Sequence, residues 1–157
     1  MRIRSTFAFA AAGLLAVAAR AGGQAGNEWP FYGGDLGATK YSTLADINRG
    51  NVASLTRAWE WATGETPRSE SRARPGNFQA TPLMIGDTLF LSTSYNRVVA
   101  LDANTGRELW SYDPKAYEAG QPPNGTGFVH RGVATWTDGK QRRVAGRVEI
   151  GFNGLPT

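Results

Sequence analysis

The stretch that most restricts the fold is "QATPLMIGDTLFLSTSYNRVVALDANTGRELWSYD", residues 79–113. Apolar and polar residues alternate in it around Leu89, Leu91 and Thr93, the period of a half-buried strand rather than a helix. Turn residues break the alternation at Gly86-Asp87 and Asn96-Arg97, and again at Asp102 to Gly106. Such punctuation predicts strands at about 79–85, 88–93, 97–101 and 107–112, joined by hairpins. In the last turn Asp102 and Thr105 can bond their own backbone, and Gly106 can take the positive φ that a tight hairpin needs. Trp110 then opens the next strand, where its ring is expected to pack over the turn or a neighbouring sheet while its indole N–H meets a carbonyl.

The flanking segments extend the all-β reading. Residues 29–59 begin with an aromatic cluster and a Gly33-Gly34-Asp35 turn, then lead through Asp46-Ile47-Asn48 to a helix-like turn at about Asn51 to Leu55, with Asn48 or Asn51 as its cap. Leu55 to Ala62 reads as a strand. Thr63 to Asn77, broken by Pro67 and Pro75, reads as an exposed loop, as does Pro114 to Thr126. A further hairpin is expected from Val133 to Trp136, a turn at Asp138-Gly139 and a return from Gln141 to Val144. With 20 glycines, 8 prolines and 5 tryptophans, composition also favours many turns and short strands. A four-stranded sheet has two bare faces and two edges, so two architectures stay open: a blade among neighbouring blades, or an isolated hairpin with a buried tryptophan in a small sandwich.

Residues 1–21 carry the pattern of a secretory signal: Arg2 and Arg4 precede an apolar run from Phe7 to Ala19, which ends in Ala19-Arg20-Ala21. That run is shorter than the roughly 20 residues of a membrane span. Residues 22–28 read as a linker. Setting the signal aside reduces 17 basic and 13 acidic residues to 14 and 13, so the chain is nearly neutral and nucleic acid is not an expected partner. Arg142-Arg143 reads as a solvated turn. The absence of cysteine excludes disulfides, thiolate metal sites, a lipidated cysteine and a Cys-x-x-Cys-His haem attachment. One histidine cannot build a His-rich zinc site. No phosphate-cradling loop is present, and Asn124-Gly125-Thr126 is a chance glycosylation match.

The spacing Ala-x-Asp-x-x-Thr-Gly-x-x-x-Trp, met by Ala100, Asp102, Thr105, Gly106 and Trp110, resembles the tryptophan-docking motif of the pyrroloquinoline quinone (PQQ)-dependent dehydrogenases. "WPFYGGDLGATKYSTLADINRGNVASLTRAW", "ATPLMIGDTLFLSTSYNRVVALD" and "HRGVATW" resemble further segments of that family in the same order. A weaker echo of the motif lies at Ala58-Trp59 and Thr63-Gly64. The resemblance covers residues 29 to about 144.

It implies a partial eight-bladed β-propeller made of antiparallel four-stranded blades, the amino-terminal part of a periplasmic quinoprotein of the glucose or alcohol dehydrogenase type. The quinone, aided by calcium, would accept hydride from a sugar or alcohol and pass electrons to a quinone or cytochrome acceptor. Carried over by position, Arg131 contacts the quinone, as a guanidinium suits its oxygens and carboxylates. Gln79 stands where members often place a glutamate near the cofactor, and His130 adjoins the same pocket. Gly125-Thr126 replaces the vicinal cysteine pair of some alcohol-oxidising members. The calcium ligands and catalytic base belong downstream in the family, so no residue here is assigned to either role. Residues 145–157 diverge from the expected continuation, as a frameshift at Val144 or Ala145 would produce. The short chain is therefore expected to be inactive alone. The alternatives from other classes are a non-catalytic propeller scaffold and a secreted β-binding domain.

Overall fold

In the computed structural model, residues 28–137 and 142–146 are described. Four strands, β1 (Leu83–Ile85), β2 (Thr88–Ser92), β3 (Val98–Asp102) and β4 (Glu108–Tyr112), form an antiparallel sheet in chain order. A second sheet pairs β5 (Val133–Thr137) with β6 (Arg142–Gly146). Short 3-10 turns occupy Val52–Ser54 and Ala116–Ala119.

The three hairpins follow from their turn residues. Gly86 and Asp87 both adopt positive φ (53° and 57°), the two-residue turn whose twist matches that of its strands. At the second hairpin the Thr93 N–H donates to the Arg97 carbonyl at 2.9 Å, and Asn96 takes the left-handed conformation at φ 64°. At the third, the Gly106 N–H donates to the Asp102 carbonyl at 2.8 Å with Gly106 at φ 71°. A register shift between Ala100 and Leu101 marks a bulge beside this turn.

The register divides the side chains cleanly. Leu89 faces Leu101 and Leu91 faces Val99, and this side carries a core of Leu91, Val99 and Leu101 against which Trp59 and Trp61 pack. On the other side Phe90, Ala100 and Trp110 lie in one row, with the Phe90 and Trp110 ring centroids 6.1 Å apart. A second core joins Ala73, Tyr95 and Phe128 beneath the loops, backed by Ala116 and Tyr117. Trp29 bridges Met84 through N–H···O bonds of 2.8 and 3.0 Å, which covers the outer edge of β1.

Several local expectations change. Leu55 to Ala62 forms no strand; it runs without a ladder partner and is held through Trp59 and Trp61 instead. The first strand begins at Leu83 rather than 79, because Pro82 has no N–H for a ladder and Thr81 pairs in parallel with Gly132. Asn51 and Asn48 do not cap the 3-10 turn. The Asn51 carboxamide oxygen accepts the Asn48 N–H at 2.8 Å, and that of Asn48 accepts the Gly50 N–H at 2.9 Å. Thr63 to Asn77 is not wholly exposed, since Ala73 is buried and the Glu65 side chain is only 5% exposed.

The last hairpin runs through Val133–Thr137 and returns over Arg142–Gly146, two residues beyond the expected Val144. The Asp138-Gly139 turn, the signal segment, most of the 22–28 linker and the tail beyond Gly146 lie outside the described residues.

The expected partner of the Asp102 turn is also different. Trp110 is 44% exposed on the Phe90 side of the sheet. Trp59 does the stapling: its indole N–H donates to the Ala103 carbonyl at 3.0 Å, and its ring lies against Gly106. A Cβ at Gly106 would stand 2.6 Å from Trp59 Cδ2, and the residue's positive φ disfavours one independently.

Candidate functional site

The three candidate cofactor residues come together because of the parallel bridge between Thr81 and Gly132. The Thr81 N–H donates to the Arg131 carbonyl at 3.2 Å, so the segment around Gln79 lies alongside His130 and Arg131. Gly132, at φ 127°, allows the approach: a Cβ there would meet the Thr81 carbonyl oxygen at 2.8 Å.

His130 turns inward and is only 3% exposed, whereas Arg131 and Gln79 face solvent. The His130 Nδ1 lies 3.2 Å from the hydroxyl of Ser92, itself buried at the end of β2. The Phe78 ring meets the imidazole edge-on at 5.4 Å. The Nε2 atom is buried and has no hydrogen-bond partner among the described residues. Burial holds the His130 pKa below its ordinary 6.5; the Asn77 backbone and the Glu65 charge pull the other way, the former without a well-formed bond to Nε2. His130 is therefore neutral at pH 7. Among the described residues the Arg131 guanidinium enters no salt bridge.

Next to this group lies a polar clasp that the sequence did not reveal. Glu65 accepts hydrogen bonds from the Thr93 hydroxyl, the Tyr95 N–H at 3.0 Å and the Arg97 Nε at 3.2 Å. Arg97 also donates through Nη2 to the Thr63 carbonyl at 2.8 Å. The clasp fixes the β2–β3 turn immediately after Ser92, and so the shelf on which His130 rests. Ser92 was equally hidden, because a serine closing an alternating strand reads as an ordinary turn residue.

The arrangement leaves a cation and a carboxamide exposed on two segments that the Thr81–Gly132 bridge joins. Its histidine is committed to the interior. Among the described residues no three His, Asp or Glu side chains gather within metal-binding reach, and no helix is long and apolar enough to cross a membrane.

Comparison with known proteins agrees with this frame. The family model "PQQ: Glucose/ethanol/alcohol dehydrogenase, beta-propeller domain" matches residues 29–153. The chain is 40% identical over 91 residues to the quinoprotein glucose dehydrogenase of Escherichia coli K12, covering 58% of this chain and 11% of that protein. It is 37% identical over 128 residues to the quinohemoprotein alcohol dehydrogenase ADH IIB of Pseudomonas putida, covering 82% of this chain and 17% of that one. The crystal structure of quinohemoprotein alcohol dehydrogenase from Comamonas testosteroni superposes with a TM-score of 0.52 at 32% identity, over 70% of this chain and 15% of that one. The chain thus spans less than a fifth of the length of each of these relatives. With four-fifths of its residues inside the family match, the chain belongs to the PQQ-dependent glucose/ethanol/alcohol dehydrogenase β-propeller family.

Proposed function

We propose that this chain is the amino-terminal part of a periplasmic PQQ-dependent dehydrogenase that oxidises a sugar or alcohol. The observation that carries the proposal is Arg131: an exposed guanidinium in no salt bridge among the described residues, on a backbone bonded to Thr81, two residues along from Gln79, in a chain of this family. Its donor set suits a planar ring bearing carboxylates and carbonyl oxygens, because a guanidinium offers N–H groups in a rigid fork and the Gln79 amide can donate or accept. When bound, the quinone supplies a hydride acceptor for the substrate carbon.

This chain's own residues hold and orient. Arg131 supplies charge-assisted hydrogen bonds, and Gln79 adds a neutral partner that can donate or accept. His130 acts from behind: neutral and locked on Ser92, it fixes the backbone from which Arg131 projects. Calcium, the catalytic base and the electron acceptor belong to the same reading, with no residue of this chain assigned to them. The other blades of an eight-bladed propeller are likewise part of the proposal. The signal-like residues 1–21 support export, and amino-terminal sequencing of the secreted chain should begin at Gly22.

The test is titration of PQQ into the 157-residue chain, read by quenching of its five tryptophans, alongside dye-linked oxidation of glucose and ethanol. Quinone binding weakened about tenfold or more by Arg131→Ala is expected, the size of one lost charge-assisted contact, with no turnover by the short chain. Quinone binding that Arg131→Ala leaves unchanged overturns the role of Arg131. Absence of any quinone response favours the scaffold reading.

A further inference from the structure

Apart from the Gln79–Arg131 group, the segment from Pro67 to Arg74 makes a closed loop with unusual charge. Three of its residues are Arg68, Arg72 and Arg74, against one carboxylate, Glu70. The loop is tied at its base by the Arg68 N–H, which donates to the Ala73 carbonyl at 2.8 Å, and it turns on Arg72 at φ 54°.

The rest of the protein holds it from outside. Ala73 is 1% exposed and packs with Tyr95 and Phe128. The Tyr95 hydroxyl lies 3.0 Å from the carbonyls of both Thr66 and Ala73. The Arg74 N–H donates to the Gln121 carboxamide oxygen at 2.8 Å, and the Arg68 guanidinium sits 4.9 Å above the Tyr117 ring.

This clamped backbone borders a hollow of about 410 Å³ lined by Pro67, Arg68, Ser69, Arg72, Ala73 and Arg74. Among the described residues none of the three arginines enters a salt bridge. Glu70 lines the adjoining hollow with Ser71, Tyr117 and Glu118, as Arg68 also does. Separated surface arginines are satisfied by water and need no partner. Three on one short loop repel one another, and because the loop is fixed they cannot disperse by moving its backbone. An oxyanion in the hollow relieves the repulsion, and the residues that line it carry donors suited to it: the guanidinium forks and the Ser69 hydroxyl.

We infer that this hollow is an oxyanion site for a small molecule bearing a carboxylate or a phosphate group. The inference stands independently of quinone binding. Its test is titration of the 157-residue chain with inorganic phosphate and, separately, with malonate at low ionic strength, with sodium chloride as the control. The readout is the arginine Nε–H NMR resonances. Saturable, concerted shifts of the Arg68, Arg72 and Arg74 signals in the millimolar range are expected with at least one of the two anions. The stronger binder identifies the group recognised.

Arg72→Ala and Arg74→Ala should each weaken binding about tenfold, the effect of one charge-assisted hydrogen bond. Arg68→Lys should weaken it at unchanged net charge, through loss of the planar fork. Arg49→Ala, at an exposed arginine outside the hollow, and Arg131→Ala should leave it unchanged, while the backbone spectrum of each variant reports that the fold is intact. Linear shifts matched by chloride overturn the site. So does saturable binding that Arg72→Ala and Arg74→Ala do not alter, or that Arg131→Ala abolishes.

Discussion

Glu65→Ala should be among the most damaging single changes in this chain. The carboxylate is 5% exposed and serves three donors, the Thr93 hydroxyl, the Tyr95 N–H and the Arg97 Nε, which it gathers from a distance of 28 to 32 residues along the chain. Removing it strands Arg97, whose side chain is 19% exposed, and leaves the Tyr95 N–H without its acceptor. Breaking a buried ion pair from one side costs about 3–5 kcal/mol. Partial exposure of Arg97 lowers that to about 2–4 kcal/mol. Small domains have only about 5–15 kcal/mol in total, so the loss is a large share. With a urea slope of about 2 kcal/mol per molar, the midpoint should fall by about 1–2 M.

Glu65→Gln tests the geometry of the same clasp. Its one carbonyl oxygen can accept from Tyr95 or from Arg97, while its NH₂ then points at the other donor, so it should recover less than half of the loss. A double-mutant cycle with Arg97→Ala should return a coupling of about 1–3 kcal/mol. Urea denaturation followed by tryptophan fluorescence measures all four proteins. If Glu65→Ala lies within about 0.5 kcal/mol of the parent, the ordinary range for a surface change, or the coupling vanishes, the clasp is not a stabilising element.

Three further outcomes follow from the turns and from His130. Gly106→Ala should destabilise by about 2–5 kcal/mol, the sum of an unfavourable positive φ and overpacking against Trp59, whereas Gly86→Ala, also at positive φ but with nothing within 4 Å, should lose only about 1–2 kcal/mol; equal losses in urea melts would deny the Trp59 contact. Hydrogen bonds from the Thr105 side chain and backbone hold Asp102 below its ordinary 3.8, so its contribution is complete above that value and fades as pH falls through the lower folded pKa. Acid unfolding of Asp102→Asn should lack that component. For His130 the unfolded chain gains its proton first as pH drops below 6.5, so stability should decline below 6.5 until the lower folded pKa is reached. His130→Gln should flatten that decline, and a parent whose stability is level between pH 7.5 and 5.5 would contradict the buried neutral imidazole.

What was legible in the sequence was whatever a few consecutive residues decide. Gly86-Asp87 and Asp102 to Gly106 dictate their own turns through positive φ and short side-chain bonds, and the alternation between them sets the register of β2 and β3. Those elements appear within a residue or two of their expected bounds. Ladder partners are a different matter. Leu55 to Ala62 has the composition of a strand, yet no neighbouring strand offers it a ladder. The same limit explains the tryptophans: Trp110 is the ring nearest to the Asp102 turn in sequence, but the pleat sends it to the Phe90 side, and Trp59, 44 residues from Ala103, reaches the turn instead.

The candidate site shows the same division at the scale of two adjacent residues. The pair His130-Arg131 could be read with either side chain, or both, facing a cofactor. The structure buries His130 and leaves Arg131 exposed, and nothing local says which way round the pair will sit. The choice is made at long range: Ser92 offers a buried hydroxyl 3.2 Å from Nδ1 and Phe78 closes the ring's edge, a space that suits a neutral imidazole and would strip a guanidinium of its water. A neutral imidazole can enter that space and Arg131 cannot, so the direction of the arginine is set by what its neighbour is able to bury. The clasp at Glu65 then matters to the site without touching it, because it fixes the turn that follows Ser92 and with it the depth to which His130 is drawn.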